Sequence, residues 1–336
     1  MSILRKILLP FSLLYGLIIW LRNIFYDTGI FKSKSFPVPV ICVGNLSVGG
    51  TGKTPMIEYL LRFLLPHYRT ATLSRGYGRS TKGFILLDNT DTASRVGDEP
   101  LQFKLKFPQA SIAVDENRQR GISKLITEIN PEVVLLDDAF QHRKVKAGLN
   151  ILLTAYDNMY YKDFMLPTGD LREPATGAER AQIIVITKCP PHLNKEEQES
   201  IRRKLHLKTF QNLYFSFVDY ADMLVNDRGT IPMDSLNEKQ IGLVTGIANP
   251  TPFCNYLRQQ RIKYTHLDFG DHHVFTQKEL NLFQEFEVII TTEKDYMRLK
   301  DTLEHDQMYY IPIETRFFNN EEEFKEEIHN YILNEK

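Results

Sequence analysis

The residues best suited to chemistry lie in SVGGTGKT, Ser47 to Thr54, with Pro55 directly after. Gly49, Gly50 and Gly52 allow a backbone to turn its N–H groups toward phosphate oxygens without Cβ clashes. Ser47, Val48 and Thr51 complete the loop. Lys53 is placed to reach the β- and γ-phosphates of a nucleotide, and Thr54 to ligate Mg²⁺. The strict phosphate-loop pattern opens on glycine, where this chain has Ser47.

A second acidic site stands at the end of VVLLDDAFQHR, Val133 to Arg143. An apolar strand ending in two aspartates supplies the Mg²⁺-side carboxylate in enzymes that use such loops. Adjacent side chains on a strand point to opposite faces, so Asp137 and Asp138 share a task only if the strand ends between them. Other charged clusters follow strands or sit in short loops. VGDEP carries Asp98 and Glu99. SRGYGR offers Arg75 and Tyr77, with arginines suited to anionic groups. LPTGDLREP sets Arg172 and Glu173 in a rigid loop, and GDHH holds Asp271, His272 and His273. TTEKDYMR, Thr291 to Arg298, superficially resembles the base-reading NKxD motif of GTPases, but its lysine and aspartate are adjacent, so the spacing is wrong.

The elements that must position these residues follow from periodicity. PVPVICVGN, Pro37 to Asn45, is a β-branched run ending in the glycine loop. Thr54 to Leu65 has helical spacing, with Pro55 in the first turn where its missing N–H is harmless. Further continuous apolar runs span Thr70–Leu73, Ser111–Val114, Val133–Leu136, Asn150–Leu153 and Ile183–Thr187. A helical pattern at Glu116–Ile129 separates two of them. Continuous rather than alternating apolar strands predict a parallel sheet covered by helices on both faces. Asn194–Leu207 reads as a helix and Tyr214–Phe217 as an extended connector. A second αβ alternation then begins at Gln240, with helices near Phe253–Arg261 and Gln277–Phe286 and strands near Tyr264–Phe269 and Val288–Thr291. Glu321–Leu333 reads as a surface helix packed back on the first lobe. The expected architecture is α/β, a P-loop NTPase-type parallel sheet with a smaller second α/β lobe. Its divisions are 1–30 for an N-terminal membrane-associated helix, 31–215 for the core, 216–313 for the smaller lobe and 314–336 for the C-terminal helix.

Composition sets outer bounds. The chain has 336 residues, 43% of them apolar, enough for a sizeable core. A net charge of −1 gives no case for nucleic-acid binding. The three cysteines, Cys42, Cys189 and Cys254, have no zinc-like spacing, which predicts a reduced, cytosolic compartment. Ile7 to Leu21 carries no charge, Arg5 and Lys6 precede it and Arg22 follows. The run is shorter than the roughly 20 residues of a spanning helix and lacks a signal-peptide cleavage site. Trp20, Tyr15 and Tyr26 suit the headgroup level, so a helix lying in the membrane interface is expected.

Taken in order, VGNLSVGGTGKTP, SRGYGR, GDEP, DDAFQHR, LPTGDLREP, TGIANP, DHH and TTEKD resemble the tetraacyldisaccharide 4′-kinase (lipid A 4′-kinase) family. The resemblance covers roughly residues 1 to 315. It departs from the family pattern at Ala139, where glycine is expected, and at Asp170, where proline is expected. It implies transfer of the γ-phosphate of ATP, with Mg²⁺, to the 4′-hydroxyl of a tetraacyl glucosamine disaccharide 1-phosphate, forming lipid IVA in lipid A biosynthesis. It implies Asp98 as catalytic base with His272 assisting, His273 being the neighbouring competitor. Lys53 then neutralises charge on the transferred phosphoryl group. Thr54, Asp137, Asp138 and Glu99 manage the metal, with the direct aspartate ligand left open. Asn45, Arg75, Tyr77, Gln141 and His142 position substrate, and Arg172 and Glu173 position substrate or metal. The implied setting is the cytoplasmic face of a Gram-negative inner membrane, held peripherally or monotopically by the N-terminal helix. No nucleic acid and no obligate protein partner are implied.

A different class remains as the alternative: a membrane-peripheral P-loop switch or metallochaperone-type ATPase. Its deviant loop carries an extra lysine just before the two glycines, where this chain has Val48. A scaffold with a dead nucleotide site conflicts with Lys53, Thr54 and both aspartates being present.

Overall fold

The computed structural model describes residues 5, 7–236, 238–271, 273–300, 302–303 and 306–335. His272 lies outside them. The β-branched run before the glycine loop forms β1, Val40–Asn45, with all six residues buried. Nine strands make the larger sheet. The others are β2 (Thr70–Ser74), β3 (Ile85–Leu86), β4 (Ser111–Val114), β5 (Val133–Asp137), β6 (Leu149–Ala155), β7 (Ile183–Thr187), β8 (Asn212–Tyr220) and, late in the chain, β15 (Ile313–Phe317). The order is β15-β8-β7-β6-β1-β5-β2-β4-β3. From β8 to β4 every neighbour is parallel, and only the edges β3 and β15 are antiparallel.

Alternate residues of β1 feed two cores. Ile41 and Val43 pack with Ile57, Leu60, Leu61 and Leu64 of α2 (Lys53–Leu64) on one face. Val40 and Cys42 pack with Ile122 and Leu125 of α5 (Arg118–Ile129) on the other. This is the two-residue period of a strand expressed as two helical layers. The other helices before the second lobe are α1 (Leu9–Asp27), the short α3 (Ala93–Val96), α4 (Asp98–Lys106) and α6 (Lys195–Leu205).

The second lobe has six strands, β9 (Met223–Asn226), β10 (Gly229–Pro232), β11 (Ile241–Thr245), β12 (Thr265–Asp268), β13 (Val288–Thr291) and β14 (Met308–Tyr310), in the order β10-β9-β14-β13-β11-β12. Its helices are α7 (Thr251–Gln259), α8 (Gln277–Phe283) and α9 (Glu293–Leu299). Two strands of the larger sheet carry the chain out and back: β8 and β15 pair antiparallel from Ile313 opposite Tyr220 to Phe317 opposite Ser216. Residues 214–217, expected as a connector, therefore lie inside a sheet strand that also pairs parallel with β7. The expected division at 215/216 falls within that strand. The C-terminal helix α10 (Glu321–Asn334) packs back on the first lobe, burying Phe324, Ile328 and Ile332. Its Tyr331 hydroxyl lies 3.0 Å from the Val40 amide nitrogen and 3.1 Å from the Val40 carbonyl oxygen.

Helix α1 runs without a break. Pro10 sits in its first turn, and Gly16 faces Met165 closely enough that an added Cβ would stand 3.6 Å from its Cγ. Polar contacts hold one side to the core. Ser12 donates to Thr168 Oγ1 at 2.7 Å, Tyr15 to the Arg172 carbonyl at 3.0 Å and Asn23 to Glu173 at 3.2 Å. The other side exposes Phe11, Leu13, Leu14, Leu17, Ile18 and Trp20. The 19-residue helix is long and apolar enough to cross a membrane by length and composition. Its polar contacts from residue 12 to residue 23 lay it along the protein surface.

Candidate active site

The glycine loop turns between β1 and α2, with Gly49 and Gly52 at φ of 98° and 84°, values that L side chains adopt only under strain. Two neighbouring segments fix the loop. Val48 donates to the Asp170 carbonyl at 2.7 Å, and Arg172 donates from its backbone to Leu46 at 2.7 Å, so the LREP loop runs beside the phosphate loop. On the far side Thr187, at the end of β7, donates its hydroxyl to the Thr51 carbonyl at 2.8 Å. Asp170 stands where a proline was expected, and its amide donates to Asp163 at 3.0 Å, a bond proline cannot make.

Lys53 begins α2 and points back to β1. Its Nζ is 3.2 Å from Asn45 Oδ1 and 3.7 Å from Asp138 Oδ1. Asn45 in turn donates to the Ser47 carbonyl at 2.7 Å and accepts from Arg172. Arg172 forks onto Asp138 at 2.8 and 3.2 Å. Lysine, asparagine, arginine and aspartate from three sequence motifs thus form one network at the carboxyl ends of β1 and β5, where α/β sheets place ligands.

The two aspartates resolve the strand-alternation problem. Asp137 is the last residue of β5, and Asp138 turns to φ 47°, so the strand ends between them. Burial and the neighbouring Asp138 charge push the Asp137 carboxyl up to about 6, with Glu99 adding to the rise and Lys53 and a 3.1 Å hydrogen bond from Ser74 opposing it. Burial also works against charge on Asp138, but Lys53 and the Arg172 fork win and hold it below the usual carboxylate range. Glu99, whose charge adds to the rise at Asp137, lines one cavity with Thr54. Carboxylate and hydroxyl oxygens are the ligands Mg²⁺ takes, one or two carboxylates sufficing beside water and substrate phosphates.

Gln141 and Glu173 serve the architecture around this network. Glu173 is fully buried and accepts from Gln141 at 2.8 Å, from Arg180 at 2.9 and 3.0 Å and from Asn23 of α1 at 3.2 Å. Gln141 also donates to the Asn45 carbonyl at 2.8 Å. The N-terminal helix is therefore tied by hydrogen bonds to the strand that carries the phosphate loop.

A cavity of about 550 Å³ opens between α1 and the DDAFQHR segment, lined by Arg22, Tyr26, Arg118, His142 and Arg143. Burial, then the Arg118 and Arg75 charges, pull His142 from 6.5 down to about 4. Arg75 therefore belongs to the same basic field, while Tyr77 is 72% exposed at the loop tip between Gly76 and Gly78. The His142 shift has a consequence for stability. The unfolded chain takes up a proton near pH 6.5 and the folded chain only near pH 4, so folding weakens as pH falls through that window. Urea midpoints at about pH 7 and about pH 5 should drop more for the wild type than for His142→Asn, and equal drops would contradict the shift.

The second lobe reaches the site through α9. Arg298 donates to Asp98 Oδ2 at 2.7 and 2.5 Å, and Lys294 pairs with Glu99 at 3.4 Å and with Asp271 at 3.7 Å. Asp98 and Glu99 open α4, so the acids of VGDEP and the bases of TTEKDYMR meet across the lobe boundary. Between them and the first turn of α2 lies a cavity of about 170 Å³, lined by Thr54, Pro55, Glu99, Tyr220, Phe253 and Lys294 among others. His273 is held within its own lobe, 3.0 Å from Glu279 and stacked on Phe269 at 4.8 Å.

Four participants escaped the sequence reading: Thr187, Lys188, Lys294 and Arg298. Lys188 crosses the phosphate loop, its Nζ 3.5 Å from where a Gly50 Cβ would stand. The signal was TKCPP closing a continuous apolar strand, and, for the other two, a lysine and an arginine four residues apart in the short helix after β13.

The sequence profile of the family described as Tetraacyldisaccharide-1-P 4′-kinase matches residues 4–333. A Flavobacterium johnsoniae protein named Tetraacyldisaccharide 4′-kinase is 51% identical over 99% of this chain and 98% of its own length. A Bacteroides thetaiotaomicron protein of the same name is 42% identical over 98% of this chain and 93% of its own. The crystal structure of an "apo" form of LpxK from Aquifex aeolicus in complex with ATP superposes with a TM-score of 0.79 at 32% identity. It covers 98% of this chain and 100% of that one.

Proposed function

The chain belongs to the tetraacyldisaccharide-1-P 4′-kinase family and is a lipid A 4′-kinase, and from that premise we propose that it transfers the γ-phosphate of ATP to the 4′-hydroxyl of tetraacyl glucosamine disaccharide 1-phosphate, giving lipid IVA. One observation carries the reading. Gln141 lines a basic cavity walled by Arg22 and Tyr26 of α1, and it donates to the carbonyl of Asn45 in the Lys53–Asn45–Arg172–Asp138 network. In this reading a donor site and an anion-binding acceptor site adjoin, and α1 carries the lipid-facing surface. The ATP-complexed relative of the same fold supports ATP as donor.

In this reading the loop N–H groups and Lys53 hold the β- and γ-phosphates, and Lys53 offsets charge spreading over the transferred group. Thr54 and Asp138 would hold Mg²⁺, with Asp137 and Glu99 completing the acidic field. Mg²⁺ would supply neutralisation of the phosphate charge. Asp98 accepts the 4′-hydroxyl proton as the 4′-oxygen bonds to the γ-phosphorus and the bond to the β,γ-bridging oxygen breaks, releasing ADP. His272 assists from the second lobe. Arg118, His142 and Arg143, with Arg75, face the sugar and phosphate groups of the acceptor, and Tyr77 contacts it from the loop tip. Glu173 acts by fixing Gln141 and α1. The exposed apolar side of α1 enters the cytoplasmic leaflet of the inner membrane and keeps the protein peripheral or monotopic.

The test is phosphorus NMR of the lipid after incubation with ATP and Mg²⁺. A new phosphomonoester at the 4′-position is expected, and none with a 4′-deoxy acceptor. Phosphate appearing elsewhere on the lipid, or turnover of the deoxy compound, would reject the assignment.

A further inference from the structure

The second lobe contributes more to the site than a wall. Lys294 and Arg298 are four residues apart on α9, so they share one helical face. That face meets Asp98 and Glu99, the two consecutive acids that open α4, and each base takes one acid. The Arg298 contact is the closer of the two. Its Nε and Nη2 lie 2.7 and 2.5 Å from the same oxygen, Asp98 Oδ2. Arg298 is itself held from behind. Its Nη1 is 3.2 Å from Asp295 Oδ1, and Asp295 is fully buried. The other Asp295 oxygen accepts from the Gly246 amide at 2.8 Å and from the Thr292 hydroxyl at 2.7 Å. Gly246 follows β11, and an added Cβ there would stand 2.9 Å from Asp295 Oδ1, so glycine is what allows the aspartate to approach. A chain of charge-assisted bonds therefore runs from the Gly246 backbone through Asp295 and Arg298 to Asp98. Such bonds are the strong, directional ones.

We propose that Arg298 is a positioning residue for phosphoryl transfer: from the second lobe it fixes the Asp98 carboxylate in the orientation that receives the acceptor proton, and Asp295 fixes Arg298. The proposal rests on the reading of Asp98 as the base. A carboxylate at the first position of a helix, joined to a loop, is free to rotate about its own side-chain bonds unless something holds it. The fork on Oδ2 removes that freedom and sets where Oδ1 points. It also makes the geometry of the base depend on a residue 200 positions away, so the lobes must be docked for the proton to be accepted. The contacts of Arg298 run to Asp98 and Asp295, so its loss is expected to act on the base and to leave donor binding near the wild-type value.

The experiment is steady-state kinetics of the full chain in detergent, with ATP and the tetraacyl disaccharide. Misplacing a reacting group by about an ångström costs about 100-fold, and Arg298→Ala should lower kcat by about that factor with KM for ATP unchanged. Arg298→Lys should fall between it and the wild type. Added guanidinium ion should restore part of the Arg298→Ala rate and none of the Asp98→Asn rate. In the double variant the two losses should not multiply, because both act on one carboxylate. If Arg298→Ala does not fold, Arg298→Lys and Asp295→Asn carry the same comparison against Asp98→Asn. Wild-type kcat in the Arg298 variants while Asp98→Asn is inactive would overturn the proposal, as would losses that multiply in full. Wild-type activity in Asp98→Asn would instead overturn the base assignment itself.

Discussion

Asp98→Asn should lose about 10² to 10⁴ of kcat while KM for ATP stays near the wild-type value, the range that a positioned general base contributes. The substitution keeps the shape and some of the hydrogen bonding of the side chain but removes the charge that accepts a proton. Asp98 stands at the start of α4 and faces α9, beside the cavity that its neighbour Glu99 shares with Thr54. In the proposed reading donor binding relies on the loop amides, Lys53 and Thr54, whereas Asp98 is held by Arg298 of the second lobe. The expected split therefore separates proton acceptance from nucleotide binding. Fluorescent-nucleotide titration alongside initial rates gives both quantities. A parallel loss of ATP affinity would mean that Asp98 serves the donor, and an unchanged kcat would remove it from the reaction.

Lys53→Ala should reduce kcat/KM for ATP by about 10² to 10³, the loss seen when one preorganised charge-stabilising donor is removed from a transition state. Here the substitution has a second effect. Asp138 loses the ammonium 3.7 Å away that helps hold its carboxyl low, and Asp137, pushed up by burial and Asp138, loses an opposing cation. Both acids then hold a proton more readily. Lys53→Arg keeps the charge, but its larger planar head does not fit the same approach to Asn45, so it should recover little. Initial rates over a range of ATP concentrations measure the effect. A Lys53→Ala enzyme within tenfold of wild type would contradict the role given to this residue.

The phosphate loop is legible in the sequence because its chemistry is local: glycines, lysine and threonine at fixed spacing between a continuous apolar strand and a helix. The same is true of Asp137 and Asp138, and strand β7 has the expected bounds, Ile183–Thr187. What sequence does not carry is the left-handed turn at Asp138, which ends β5 between the two acids. Local pattern also cannot reveal contacts that the tertiary fold creates. Arg298 and Asp98 lie 200 residues apart, and TTEKDYMR read alone offered only a misspaced resemblance to a base-reading motif. The segment Tyr214–Phe217 is too short to announce a strand by itself. Its strand, β8, is completed by β7 on one side and by β15, nearly 100 residues later, on the other. Short edge strands such as Ile85–Leu86 and Gly229–Pro232 leave no periodic signal at all. Helix α1 shows a different limit. Pro10 and Gly16 interrupt the apolar run as a string of letters, yet Pro10 occupies the first turn and the helix continues through Gly16.

The central claim is that this site hands a phosphoryl group to a lipid and does not simply hydrolyse nucleotide. The most direct measurement follows the label from γ-³²P ATP in one reaction, with and without tetraacyl disaccharide 1-phosphate in detergent. The account predicts label in the lipid fraction, one phosphate per ADP formed, and little inorganic phosphate when the lipid is omitted. Label released as inorganic phosphate at the same rate with or without lipid would contradict it, and would favour a nucleotide-driven switch instead.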